Sequence, residues 1–284
     1  MTPKLAISML LAVMVGCLSS PVARSEEPPA SILPDKALES EAAKTRIKRM
    51  MDALKEYSVE VSTDEGPVKA TLQDSPALRW SNPLSRVQDG IVNIWSRDGR
   101  PEVVVKFYTY GGDTWVHEFR SVSRRPLIMK RHGTVVWSPR SAGVEFHSIP
   151  NAPATAADSP IPRLIQMRKL AERFEFIYDF HPFGDDLTTI ERHPLQLLPK
   201  PIYRYEASGD LIDGALFVYS LATAPPAMLM IEARSTPAGV DWQYALVPVT
   251  VYGLTARLDD REIWNRPETL KWRFDEPFYP GFHR

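Results

Sequence analysis

Two kinds of hydrophobic spacing alternate along this chain. Residues 35–57 carry Leu38, Ala42, Ile47, Met50, Met51 and Leu54 on one helical stripe, with Asp35 placed to cap and Glu39 and Glu41 near the positive end. After Tyr57 the period drops to two, with Val59 and Val61 alternating with Glu60 and Ser62. Strand-like runs follow at 68–72, 91–96, 103–110, 115–123 and 134–137, separated by clusters of Asp, Gly, Pro and Asn, as in an antiparallel meander. Helical spacing returns at 162–176. Pro162 suits a first turn there, and Leu164, Met167, Leu170, Ala171 and Phe174 share a face. Strand signals resume at 187–191, 202–206, 215–221, 228–233, 242–250 and 262–264.

Helix then meander, twice, predicts a duplicated module. Asp89-Gly90 opens one block and Asp213-Gly214 the other, and Ser96 and Ser220 each lie seven positions after the Asp. Pro101 precedes Val103-Val104-Val105, and Pro226 precedes Met228-Leu229-Met230. Trp115 and Trp242 follow; Leu127 and Leu254 come twelve later, and Trp137 and Trp264 twenty-two later. Upstream, Arg79-Trp80 matches Arg204-Tyr205. Asp-Gly reads as turn chemistry, with Gly supplying positive φ. The tryptophans read as anchors of a helix on a sheet. The predicted fold is α+β: two tandem similar modules, residues 35–150 and 163–284, joined by the Ala- and Pro-rich linker 151–162. Each is expected to pack one helix on a curved antiparallel meander of about five strands. Side-by-side modules and joined sheets fit the pattern equally.

The first residues read as a targeting segment. Lys4 precedes an apolar run, residues 5–15, interrupted by Ser8. That run is too short to span a bilayer comfortably and fits a signal-peptide core. Residues 1–25 are expected to be removed, with Ala23 and Ser25 at the positions signal peptidase reads, leaving 26–34 as a disordered tether. A second reading uses Met14-Val15-Gly16-Cys17, which resembles a bacterial lipobox and makes Cys17 a lipid acceptor. Either way the protein is expected to be exported, periplasmic or extracellular, or lipid-anchored through Cys17. The mature chain is expected to contain no transmembrane helix. Cys17 is the single cysteine, so the rest of the chain forms no internal disulfide and offers no thiolate nucleophile. Hydrophobic residues at 44% and charged residues at 24% suit an ordinary globular core. The net charge of −1 becomes −3 without Lys4 and Arg24, which argues against a nucleic-acid partner.

Candidate chemistry concentrates in Trp115-Val116-His117-Glu118-Phe119-Arg120. Strand alternation puts His117 on the face of Trp115 and Phe119, and turns Glu118 and Arg120 the other way. The second module has Tyr244, Ala245 and Val247 at the matching places, so the polar set belongs to the first copy alone. One reading makes His117 and Glu118 the acid/base pair of a hydrolase, helped by Arg79 or Arg120. The other makes His117 a core-edge histidine and Glu118 and Arg120 part of a cross-strand ion pair. Arg79 and Arg204 precede aromatics in both copies, which suits an anion clamp or an ion pair with the Asp of Asp-Gly. His132, His147, His181, His193 and His283 show no ligand spacing. Asp185-Asp186 and Asp259-Asp260 lack the further oxygens of a calcium loop. No metal or cofactor is expected. On a curved sheet, Trp80, Trp95 and Trp115, with Arg79 and Arg120, could line a pocket for an apolar or carbohydrate ligand.

The blocks Leu78-Arg79-Trp80-Ser81-Asn82-Pro83 through Trp115 to Ser123, Arg163-Leu164 to Arg173-Phe174, and Leu197 to Tyr205 resemble an uncharacterised family of secreted bacterial proteins. The resemblance covers nearly all of the mature chain and implies no activity. At fold level, a helix on a curved sheet is similar to cystatin-like and nuclear-transport-factor-like cones and to the open barrels of bacterial lipoprotein carriers, an analogy that carries no function. The expected function is that of an exported, non-catalytic protein that binds a protein partner or a small apolar or carbohydrate ligand. The alternatives are the hydrolase on His117 and Glu118, and a lipid or lipoprotein carrier, which needs an open apolar cavity between sheet and helix.

Overall fold

In the computed structural model, which describes residues 41–110, 114–181, 189–269 and 271–283, alternation wins over most of the chain. The leading segment, the tether and Cys17 lie outside the described residues. The first half runs α1 (Glu41–Leu54), β1 (Tyr57–Thr63), β2 (Gly66–Leu72), β3 (Leu78–Asn82), β4 (Val87–Arg97), β5 (Arg100–Tyr110), β6 (Thr114–Ser121), β7 (Leu127–Arg131) and β8 (Thr134–Trp137). A short β9 (His147–Ser148) precedes α2 (Pro160–Ala171). Then follow β10 (Phe174–Phe180), β11 (Glu191–Pro194), β12 (Gln196–Leu197), β13 (Tyr203–Ser208), β14 (Leu211–Leu221), β15 (Ala224–Thr236), β16 (Gly239–Pro248), β17 (Leu254–Leu258), β18 (Arg261–Arg266) and β19 (Phe278–His283). Among the described residues the protein is mostly antiparallel sheet with two α-helices. The second helix stops earlier than its apolar spacing predicts. Phe174 and Phe176 belong instead to β10, whose residues are alternately buried and open. No helix among the described residues is long and apolar enough to cross a membrane.

The first sheet has the order β19-β6-β5-β4-β2-β1-β7-β8, with β3 added on β4. It curls until its ends meet: Phe119 of β6 stacks on Trp137 of β8 at 6.0 Å, and Tyr57 of β1 lies 3.2 Å from His283 of β19. In the second half, β12-β14-β15-β16-β9 and β11-β10-β17-β18 form two sheets. Far more than five strands therefore serve each helix. The boundary at 151–162 also fails to divide the sheets. β19, near the end of the chain, pairs with β6, and β9, before the linker, pairs with β16. An open edge strand carries a row of unmet N–H and C=O groups, and these late and early segments cover two such edges.

Three cores result. α1 packs Met50, Met51 and Leu54 against Trp95, Phe107, Phe119 and Trp137 on one face of the first sheet. α2 packs Met167, Leu170 and Ala171 against Phe176, Phe217, Leu229 and Trp242 on one face of the second. The remaining faces pack on each other through Val92, Ile94, Val104, Leu216, Val218, Met228, Met230 and Val247. The layers are helix, sheet, sheet, helix.

A buried carboxylate in this inter-sheet core is surrounded by cations. Glu232 is fully buried and meets Arg100 at 3.0 Å, Arg124 at 2.7 Å, Arg234 at 2.8 Å and the Tyr205 hydroxyl at 3.1 Å. Burial alone pushes its carboxyl pKa up, but the arginines outweigh burial and hold it below the usual range.

The Asp-Gly pairs are not turns. Both sit inside long strands, β4 and β14, and neither glycine has positive φ. Hairpin turns with positive φ at both central residues, the type I′ pattern, lie instead at Asp98-Gly99, His132-Gly133 and Asp259-Asp260. Each Asp-Gly instead pins a strand from two sides. Asp89 accepts from Arg46 of α1, and Asp213 accepts from Arg163 of α2 at 2.8 Å and from Arg204 at 2.5 Å. On the opposite side, Trp80 lies directly across from Gly90, and Tyr205 across from Gly214. A Cβ at either glycine would overlap the ring. Gly90→Ala and Gly214→Ala should therefore each lower stability by about 1–3 kcal/mol, the usual cost of overpacking a filled site. Urea unfolding of the two variants checks this, and wild-type midpoints would contradict it.

Candidate functional site

The strand with the polar set is β6, and the sheet divides that set. His117 faces α1 and is buried with its ring 4.6 Å from Phe119, 6.3 Å from Tyr57 and 6.4 Å from Phe107. Its Nδ1 is buried with no hydrogen-bond partner among the described residues. Burial, with His283 and Arg131 nearby, lowers its pKa to about 3. Glu118 and Arg120 point the other way, into the space between the sheets. Glu118 Oε2 lies 2.6 Å from Lys106 Nζ, and Lys106 donates to the Val249 carbonyl at 2.8 Å. Arg120 donates to the Gly143 carbonyl at 2.8 Å, and burial together with Arg266 lowers its pKa to about 9. His117 and Glu118 therefore share no cleft, and the acid/base pair of the hydrolase reading does not assemble.

The other first-half candidates are also dispersed. Trp80 is in the inter-sheet core and Trp95 in the α1 core. Trp115 is buried beneath the Arg49 guanidinium, 4.6 Å from its ring. Arg79 is exposed on β3. These tryptophans are packing residues, divided by the sheet between two cores. The matching Arg204 is an ion-pair residue of Asp213. Among the described residues, no group of three or more His, Cys, Asp or Glu comes together as a metal site.

An open cleft lies in the second half instead. Its volume is about 620 Å³, and it sits between the last turn of α2, the start of β10, and β11 and β12. Phe174, Phe176, Leu195, Leu197 and Tyr219 form one wall; Arg168, Glu172, Glu175, Arg192 and Arg257 supply its charges. The chain segment 191–197 first pairs with β10 and then crosses to β14, leaving the start of β10 beside a gap.

The first half has the same crossing, but it is plugged. β2 passes from β1 to β4, and Leu72 pairs with Trp95 as Leu197 pairs with Tyr219. Trp95 is buried, and Met51 of α1 fills the space beside it, accepting from Asn93 Nδ2 at 3.3 Å. Met51 lies five residues after Arg46, the partner of Asp89; five residues after Arg163, the partner of Asp213, stands Arg168. Arg168 does not plug the gap but is held at its margin, donating to the Leu198 carbonyl at 2.8 Å and to Glu172 at 2.9 Å. A methionine and a tryptophan are thus replaced by an arginine tied to the margin and a smaller tyrosine. The Tyr219 hydroxyl donates to the Ala171 carbonyl at 2.6 Å, which fixes the ring as a wall. None of the cleft residues is among the sequence candidates. The available signal was the mismatch Met51/Arg168 and Trp95/Tyr219 between copies, which shows only once the strands are in register.

In comparisons with known proteins, no family model matches the chain, no curated protein matches it, and no solved structure matches it.

His117 gives a pH dependence with a definite sign. Its folded pKa of about 3 lies below its ordinary 6.5, so below pH 6.5 the unfolded chain takes up a proton that the folded chain refuses. Its contribution to stability is intact above 6.5 and is lost as pH falls toward 3, at up to about 1.4 kcal/mol per pH unit. The stability difference between His117→Gln and wild type should therefore shift in the variant's favour as pH drops from 7 to 4, read by urea unfolding. Parallel pH curves would show that His117 is not the group responsible.

Proposed function

We propose that this is an exported binding protein built from two tandem copies of one helix-on-sheet module, the first a filled scaffold and the second the carrier of a ligand cleft. The observation that carries this reading is the cleft beside α2. Its volume of about 620 Å³ falls among small-molecule sites, which run to roughly 300–1,000 Å³. An apolar wall with a few charged groups at its margin is the usual composition of such sites. The apolar wall also favours the carrier reading, in which the ligand is a lipid, over a carbohydrate.

What supports duplication is agreement in detail. Read through the 191–197 crossing, the second half runs β9-β16-β15-β14, then β12 and β11, then β10-β17-β18. The first half runs β19-β6-β5-β4-β2-β1-β7-β8. Both halves hold an aromatic opposite a strand glycine, and an aspartate bound by an arginine of the preceding helix. The support for export is Lys4 followed by the apolar residues 5–15.

The cleft is tested by making the second half resemble the first. Wild-type protein titrated with Nile red, a neutral apolar dye, should saturate at one dye per chain. Arg168→Met combined with Tyr219→Trp should abolish that signal while the thermal unfolding transition stays cooperative. Dye binding that survives in the filled, folded variant, or is absent from the wild type, would sink the cleft as a ligand site. Export has its own readout. The intact mass of the protein recovered from the producing cell should correspond to a chain starting at Glu26, or at a lipid-modified Cys17. A mature chain that still carries residues 1–16 would remove that part of the reading.

A further inference from the structure

The cleft straddles the edge of β10, so the two faces of that strand contribute different chemistry. Phe174 and Phe176 belong to the helix-side face, and with Leu195, Leu197 and Tyr219 they make the apolar wall. Glu175 and Ile177 alternate with them and point to the opposite face. Strand register adds arginines there: Arg257 lies directly across from Glu175, and Arg192 directly across from Asp179. One side of the opening is therefore apolar and the other is ionic.

Arg168, Arg192 and Arg257 line the cleft with Glu172 and Glu175, and Asp179 lies beside Arg192, so what matters is which arginine is left over. Arg168 is occupied by Glu172, 2.9 Å away, and by backbone carbonyls. Arg192 is held by Asp179 at 3.1 Å and the Thr255 hydroxyl at 3.3 Å. Arg257 has no ion-pair or hydrogen-bond partner among the described residues, and it is half-buried at the cleft. A partly buried guanidinium with five donors and no acceptor is incomplete, because burying a charge without a partner is costly.

We propose that the ligand of this cleft is an anionic amphiphile: an apolar chain laid against Phe174, Phe176, Leu195, Leu197 and Tyr219, with a carboxylate or phosphate head bound by Arg257. The assignment rests on the cleft reading above and adds the charge and position of the head group. A chain ending in an anion satisfies both sides of the β10 edge at once. A wholly apolar ligand leaves Arg257 unmet, and a cationic one sets a like charge beside it.

The test compares heads at constant chain length, below the micelle concentration, by calorimetric titration of the whole protein. Dodecanoate and dodecyl phosphate should bind at one per chain, at least about tenfold more tightly than dodecanol or dodecyltrimethylammonium, the size expected for one charge-assisted contact. Which of the two anions binds better tells a carboxylate head from a phosphate head. Arg257→Gln should erase the preference for the anion and leave dodecanol binding unchanged. Arg257→Lys should keep part of it. If dodecanol and the anions bind alike, or if the preference survives Arg257→Gln, the head-group assignment is overturned while the apolar cleft stands. If no chain binds but Nile red still does, the amphiphile is overturned. If neither binds, the cleft reading fails as well.

Discussion

The two sheets share a face, and the other features follow from that packing. A sheet with a helix on one side and a second sheet on the other has no wet surface along its central strands. Such strands cannot alternate apolar and polar residues, because every position is inside. Val103 and Val105 face α1 while Val104 faces the second sheet. Leu229 and Ile231 face α2 while Met228 and Met230 face the first sheet. The aliphatic runs at 103–105 and 228–231 are the direct imprint of that arrangement. It also explains the glycines. Between two sheets there is room for a ring lying across a strand only if that strand gives up its own side chain, as β4 does for Trp80 and β14 for Tyr205.

Polar groups in this layer are fixed by charge. Apolar faces allow sliding, whereas Glu232 meets two arginines of the first half and one of its own at defined distances. Burying a carboxylate is costly without partners, and removing one partner of such a set costs more than the set contributes. The Lys106–Glu118 pair acts in the same way. Glu118 and Arg120 are part of the first half's contribution to the contact between the sheets, whereas His117 faces α1.

Much of this was legible in the sequence, and the failures have physical causes. The sheet content, the two helices and the matched landmarks are visible as spacing, because burial writes period onto a chain. The orientation of His117 against Glu118 follows from alternation, and the structure places each on the side that alternation gives it. Asp-Gly was misread because local turn chemistry and a ring lying over a strand require the same residue. The end of α2 was misread because Phe174 continues a helical stripe as well as it starts a strand. The cleft was missed for a different reason. It arises where Arg168 and Tyr219 fail to fill what Met51 and Trp95 fill in the first half, and neither residue type advertises a binding site by itself. The exchange of β9 and β19 leaves no periodic signal at all, since which edge a strand covers is set by tertiary contact.

That exchange also has a consequence in time. A ribosome releases the chain from its N-terminal end, and domains commonly fold as they emerge. Here the first sheet ends at β6 until Phe278–His283 has been made, long after β6 itself. The seam at Tyr57 and Arg131 likewise waits for His283. Until then the first half is a curled sheet with an open edge, and it cannot close into its final form before the second half has been made. The order of the chain thus ties completion of the first sheet to completion of the second.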